Sequence, residues 1–303
     1  MTVTVVMSTY NGEKYLREQI ESILRQEEAD VRLFVRDDGS DDGTPDILRE
    51  YAAEHDNITY VSGQNLGAAG SFREALRLAP DTPYYAFADQ DDVWLPDKIR
   101  AGVRALESSG CAGEETAALY TCRTVSVDEG LRPLAVRELY TRVSLGSSLL
   151  ENRVSGCTFV FNRKARELYL LLPEEHICMH DWDLLRIVLA VGGRLVQDEN
   201  GYVLYRQHAS NVVGAGVSRR RRAEKLFSGQ LLRDLRSRIA FADEIRRLYA
   251  DCIPEENRRI LDLLCDYKES VPARLALVRS KEIARKNRAD NLVFKALFLM
   301  GLL

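Results

Sequence analysis

An α/β fold with a mostly parallel central sheet and helices on both faces is predicted by three observations. Short apolar runs recur at Val3–Met7, Val31–Val35, Ile58–Val61 and Tyr84–Ala88. Between them lie segments whose apolar residues follow helical spacing. The runs are continuous rather than alternating, as befits strands buried on both faces, and their order is βαβαβαβ.

The elements follow in order. Leu16, Ile20, Ile23 and Leu24 form one face of the first helix, after which the chain turns at residues 27–30 into the second strand. Thr44 reads as an N-cap with Pro45 at the first helical position, and this second helix buries Ile47, Leu48 and Tyr51. Past the fourth strand, Ile99, Val103 and Leu106 mark a helix and Ala117–Thr121 a strand. Residues 124–150 show no clear period and read as a loop with short helical pieces. Cys157–Phe161 reads as a strand, Trp182–Val191 as a helix, and Arg194–Gln197 with Tyr202–Tyr205 as two further strands. From Arg219 onward Pro and Gly become scarce and charge rises, so a boundary is expected near Gly214–Ser218, with a helical, basic region over 216–303.

At 303 residues, 46% hydrophobic and 29% charged, the chain can bury a sizeable core, which favours an enzyme over a bare binding module. Residues 1–100 carry 10 Lys/Arg against 20 Asp/Glu, whereas residues 201–303 carry 21 against 12. An acidic first third repels nucleic acid, and a basic last third suits an anionic surface. The six cysteines are widely spaced without a C-x-x-C pair and read as buried free thiols. No apolar run reaches the ~18 residues of a spanning helix, and Met1–Tyr10 lacks the basic flank of a signal peptide, so a cytoplasmic location is expected. The apolar end of the chain, from Asn291, follows Lys281, Arg285, Lys286 and Arg288. That pattern fits a helix lying at the inner face of an anionic membrane. The alternative is packing on its own domain or on a second copy, as a homodimer.

Each of the first four strands ends in a polar cluster: Ser8-Thr9-Tyr10-Asn11, Asp37-Asp38-Gly39-Ser40, Gln64-Asn65-Leu66-Gly67 and Asp89-Gln90-Asp91-Asp92. In parallel sheets ligands bind beyond the carboxyl ends of the strands, so these clusters converge. Any one alone reads as turn and cap residues. Several carboxylates on one rim repel, however, and a cation relieves that repulsion. Asp89 and Asp91 offer hard oxygen ligands suited to Mg²⁺ or Mn²⁺, which bind through one or two carboxylates plus substrate phosphates. Asp38 is placed to accept the ring N–H of uracil or thymine, and Tyr10 offers an aromatic face. Together they describe a nucleotide-diphosphate site.

The segments VVMSTYNGEKYLREQIESIL, FVRDDGSDDGT, NLGAAGSF, YAFADQDDVWLPDKI, GCTFVFNR, HDWDLLRI and LYRQHASNVVGA stand in order over residues 2–215. In these the chain resembles a family 2 glycosyltransferase of the GT-A fold, and within it the bacterial rhamnosyltransferase-type enzymes. The resemblance implies a glycosyltransferase domain over 1–215, with a donor-binding half of about 1–123 and an acceptor half of about 124–215. It implies that Ser8 and Tyr10 contact the nucleotide, that Asp38 binds the pyrimidine, and that Asp89 and Asp91 form the Asp-x-Asp, with Asp91 the direct metal ligand. It implies Asp181 as general base, His208 as reaching the metal or diphosphate, a dTDP- or UDP-linked sugar donor, and inversion at the anomeric carbon. Rhamnose as the sugar, and a surface polysaccharide or lipid-linked glycan as acceptor, follow from the same resemblance. The chain departs from it at Ser71-Phe72-Arg73, where many relatives carry Ala-Arg-Asn.

Asp181 at a helix N-terminus is favoured as an anion, although the same place suits an aspartate that only caps a helix. His180 is the rival base. Trp182 is expected to stack on an acceptor sugar, and Gly156 with Cys157 to open a strand flooring the acceptor pocket. Arg206 is expected to pair with a nearby carboxylate. Two rival functions remain at this level: a sugar-1-phosphate nucleotidyltransferase, and a catalytically silent module that binds nucleotide sugar as a scaffold. The first loop lacks the Gly-rich, basic character of the former, and the retained set of Asp38, Asp89, Asp91 and Asp181 speaks against the latter.

Overall fold

The computed structural model describes residues 1–111, 115–136, 143–208 and 230–302. They fall into two compact units, one drawn from Met1–Tyr140, Val154–Val188 and Gly193–His208, the other from Thr141–Arg153, Leu189–Gly192 and Ala209–Leu303. The first unit thus comes from three chain segments, where the sequence suggests an uninterrupted 1–215. The expected boundary at 214–218 lies outside the described residues.

The first unit is built on one sheet. Its strands are β1 (Thr2–Thr9), β2 (Asp30–Asp37), β3 (Ile58–Ser62), β4 (Tyr84–Ala88), β5 (Val93–Trp94), β6 (Ala118–Val127), β7 (Pro133–Val136), β8 (Val160–Asn162) and β9 (Arg194–Arg206). The spatial order is β3-β2-β1-β4-β8-β6-β9-β5, with β7 paired to β6. The first four are mutually parallel, with β1 flanked by β2 and β4, so Val3, Val5, Val6 and Met7 are wholly buried. Register then fixes the site: Thr9 lies opposite Asp37 and Met7 opposite Ala88, so the clusters after β1, β2 and β4 leave the sheet at one edge. β6 and β9 are also parallel, whereas β8 and β5 enter antiparallel.

Helices α1 (Leu16–Leu24), α2 (Thr44–Glu54), α3 (Gly67–Leu78) and α4 (Lys98–Leu106) alternate with these strands and bury the apolar faces read from the sequence, Leu16, Ile20, Ile23, Ile47, Leu48, Ile99, Val103 and Leu106 among them. Thr44 does not cap α2 as expected. Its hydroxyl accepts the Gly12 amide at 2.9 Å, while Asp42 Oδ1 accepts the Thr44 amide at 2.9 Å.

Three other expectations are corrected. The aperiodic stretch from 124 contains the end of β6 and the hairpin to β7, closed by Asp128 Oδ1, which accepts the amides of Gly130 and Arg132. The predicted strand at 157–161 is a tight helical turn over Gly156–Thr158 followed by β8, because Thr158 turns its hydroxyl back to the Ser155 carbonyl at 2.6 Å. The two strands predicted at 194–205 are one, since β9 stays paired to β6 across register shifts around Arg123. Short helices α5 (Leu145–Ser148), α6 (Arg163–Leu170) and α7 (His180–Ala190) complete this region of the chain.

The second unit is helical, with α8 (Gln230–Leu248), α9 (Glu255–Cys265), α10 (Val271–Arg279) and α11 (Arg288–Met300). Arg246 on α8 bonds Asp262 and Asp266 beyond its own helix. Phe294 and Phe298 of α11 are buried, with Phe298 edge-on to Tyr267 at 4.5 Å, while Leu292, Leu299 and Met300 remain exposed. Among the described residues no helix is long and apolar enough to cross a membrane. Cys122 and Cys157 are buried free thiols, but Cys178 and Cys252 are exposed, against expectation.

Candidate active site

The turn after β4 carries the carboxylates. Gln90, between Asp89 and Asp91, ties this turn to the loop after β1: its Oε1 accepts the Thr9 hydroxyl at 2.6 Å and the Tyr10 amide at 2.8 Å, and its Nε2 donates to the Tyr10 carbonyl at 3.1 Å. A Cβ on Gly12 would stand 2.5 Å from Gln90 Oε1, so only glycine admits this contact. Asp91 Oδ2 lies 2.7 Å from His208 Nε2, which joins the end of β4 to the residue two beyond β9. The buried Arg206 secures this junction: its amide donates to Asp92 Oδ1, its Nε donates to the Asp91 carbonyl at 2.9 Å, and its guanidinium pairs with Glu18 and lies 4.4 Å over the Tyr15 ring. The expected carboxylate partner of Arg206 is therefore Glu18.

The residues expected to contact the nucleotide are placed as follows. Tyr10 is exposed, with 48% of its surface free. Ser8 Oγ donates to Ser71 Oγ at 2.6 Å. Asp38 is buried, and its Oδ1 pairs with Arg36 and accepts the Leu66 amide at 2.8 Å. Arg73 points elsewhere: it donates to the carbonyls of Leu170 and Leu172 and pairs with Glu174, so it does not stand in for the arginine of relatives.

At the start of α7, Asp181 is 8% exposed; its Oδ2 accepts the Gly156 amide at 3.0 Å and its Oδ1 the Trp182 amide at 2.6 Å. Gly156, expected in the acceptor pocket floor, instead braces this carboxylate, and a Cβ there would come within 2.7 Å of Asp181 Cβ. His180 and Trp182 do not present open faces as the sequence suggests. The His180 ring stacks on Phe72 at 3.8 Å and meets Phe87 edge-on at 4.9 Å, and burial pushes its pKa down to about 3, which leaves a poor base. Trp182 is covered by the Arg186 guanidinium at 4.3 Å. Asp183, which sequence reasoning missed, accepts the amides of Cys178 and Met179 and pairs with Arg186, anchoring the turn that presents Asp181.

Electrostatics links these parts. Burial, then the charges of Asp91 and Asp181, push the Asp89 carboxyl up to about 8. Among the described residues no hydrogen bond reaches the Asp89 side chain. An uncompensated carboxylate beside an Asp–His pair is a donor set that fits a hard divalent cation. Asp92 and Cys157 offer ligand atoms within 4.8 Å of Asp89, and burial first of all pushes the pKa of both well up.

A sheet of this topology, with a carboxylate turn at the edge of its parallel strands, has the architecture of the GT-A glycosyltransferases. The chain belongs to glycosyl transferase family 2, whose family model matches residues 4–167. This membership removes the nucleotidyltransferase and silent-scaffold readings. The dTDP-rhamnosyl transferase RfbG of Shigella flexneri is 29% identical over 233 residues, which span 73% of this chain and 78% of that protein. S. aureus TarS 1-349, solved in complex with UDP, has a TM-score of 0.58 at 16% identity, covering 88% of this chain and 70% of that one. The mannosyltransferase PcManGT from Pyrobaculum calidifontis, solved with GDP-Man and Mn²⁺, has a TM-score of 0.52 at 18% identity, covering 99% and 80%. At these identities the two structures speak to fold.

Proposed function

We propose that the protein moves a sugar, rhamnose being the first to test, from a dTDP- or UDP-linked donor to a surface polysaccharide or its lipid-linked precursor, with inversion at the anomeric carbon. The similarity to RfbG supports the donor and sugar, and the UDP complex of TarS supports a pyrimidine nucleotide. Tyr10 and Ser8 hold the nucleoside and Asp38 accepts a ring N–H of the base. Asp181 takes the proton of the acceptor hydroxyl as its oxygen attacks the anomeric carbon; the carbon–oxygen bond to the diphosphate breaks, and the diphosphate leaves with the electron pair from the opposite face. Asp89, Asp91 and His208 would hold Mg²⁺ or Mn²⁺, which would supply charge stabilisation for the leaving group. The amides of Gly156 and Trp182 orient the Asp181 carboxylate for this task.

The observation that carries the reading is the approach of the turn after β4, with Asp89 and Asp91 and the Asp91–His208 contact at 2.7 Å, to Asp181 at the start of α7, close enough for the charges of Asp91 and Asp181 to raise the Asp89 carboxyl. The test is nucleotide release from UDP- and dTDP-sugars with and without Mn²⁺ or Mg²⁺. Chelation and Asp91→Asn should each abolish most of the signal, and Asp181→Asn should lower transfer about 10²-fold or more. Near-normal transfer by a folded Asp181→Asn protein removes that residue as base, and a metal-independent signal removes the cation.

A further inference from the structure

We propose that Arg36 is the positioning residue that determines which base the donor nucleotide carries; this rests on the nucleotide-sugar reading above. Arg36 is the penultimate residue of β2, and its side chain is buried. Its Nη1 pairs with Asp38 Oδ1 and donates to Ser71 Oγ at 2.9 Å, and its Nη2 donates to the Gln64 carbonyl at 2.8 Å. Ser71 in turn accepts the Ser8 hydroxyl at 2.6 Å, and Asp38 Oδ1 also accepts the Leu66 amide. One guanidinium, through Ser71, therefore gathers the end of β1, the loops after β2 and β3 and the N-terminal half of α3 around the Asp38 carboxylate. Gly63 leaves room for it: a Cβ there would stand 2.8 Å from Nη2.

The consequence is directional. Both bonds to the Asp38 carboxylate fall on Oδ1, and among the described residues Oδ2 has no hydrogen bond. A carboxylate held this way is an acceptor only. It suits the ring N–H of uracil or thymine and meets only a lone pair at the corresponding nitrogen of cytosine, which leaves two acceptors facing each other. A site built to receive a hydrogen bond rejects an analogue lacking the donor far more strongly than an apolar pocket rejects a change of size. Without Arg36 the carboxylate is free to turn, and the discrimination is lost.

The test is calorimetric titration of the full chain, with Mn²⁺ present, against UDP, dTDP and CDP, alongside thermal melting. In the wild type UDP and dTDP bind at least about a hundredfold more tightly than CDP. Arg36→Met is expected to shrink that ratio at least tenfold, and in turnover assays to raise the donor KM more than it lowers kcat. Arg36→Lys should recover part of the ratio. If Arg36→Met does not fold, Ser71→Ala and Gly63→Ala decide, each shifting the ratio in the same direction with melting close to wild type. A ratio within twofold of wild type in the folded variants overturns the inference and leaves the nucleotide-sugar reading intact. A wild type that binds neither UDP nor dTDP overturns that reading, and this inference with it.

Discussion

Asp89 is a carboxyl group whose surroundings oppose its charge, and its proton is a reporter of the site. Its folded pKa, pushed up to about 8, lies far above the usual carboxylate value. The metal-free folded protein therefore holds a proton that the unfolded chain releases at about pH 4. Its contribution to stability falls as pH rises from about 4 to 8 and is level beyond. His180 acts in the opposite sense: its pKa of about 3 makes the folded state lose stability as pH drops from about 6.5 to 3. Comparison with Asp89→Asn separates the two. In metal-free melts the variant should gain on the wild type between pH 5 and pH 8. Mn²⁺ should raise the wild-type Tm more at pH 8 than at pH 5 and the variant's hardly at all; equal shifts at both pH values would refute the assignment. Residue types and spacing made Asp38, Asp89 and Asp91 legible together, because polar residues at the ends of parallel strands are brought to one edge by the sheet itself, whereas Asp181 and His208 were singled out by the family resemblance. What stayed hidden was side-chain direction: nothing in the chain's pattern shows that His180 turns between two phenylalanines or that Arg73 faces away.

At the level of elements, the periodic first half was the readable part. β1 to β4 and α1 to α4 have strong apolar repeats and short connections, and the predicted spans of the four strands agree with the structure to within two residues at each end. The second half depends on tertiary pairing. β5 has two residues, β8 three, and β9 keeps its partner only through irregular register, so none carries a period of its own. The tight turn at Gly156–Thr158 is the clearest case, since it looks like a strand by composition but serves as a brace for α7. Its role predicts the effect of Gly156→Ala: the new methyl group must displace Asp181, so kcat should fall tenfold or more while donor binding by calorimetry stays within about twofold. Loss of both together would mean a general collapse of the sheet edge instead.

Along the whole chain an acidic first part gives way to a basic last third, a division visible in charge counts alone. The structure refines the surface reading of the end of the chain. Phe294 and Phe298 are buried, so among the described residues of this end the large apolar side chains left exposed are Leu292, Leu299, Met300 and Leu302. A deletion would damage packing; replacement of Leu292, Leu299 and Met300 by Ser tests contact without that cost. Flotation with anionic liposomes should be seen for the wild type and lost in the triple variant, with Tm unchanged. No flotation of the wild type, or equal flotation of both, refutes the membrane contact, and a concentration-dependent dimer lost in the variant would assign the face to a second copy. A last consequence comes from the glutamine wedged between the two acidic side chains. It clasps the backbone beside the Tyr10 ring, so on the proposed reading a ligand group that settles at one of these two loops should ready the other, by the same factor in either order.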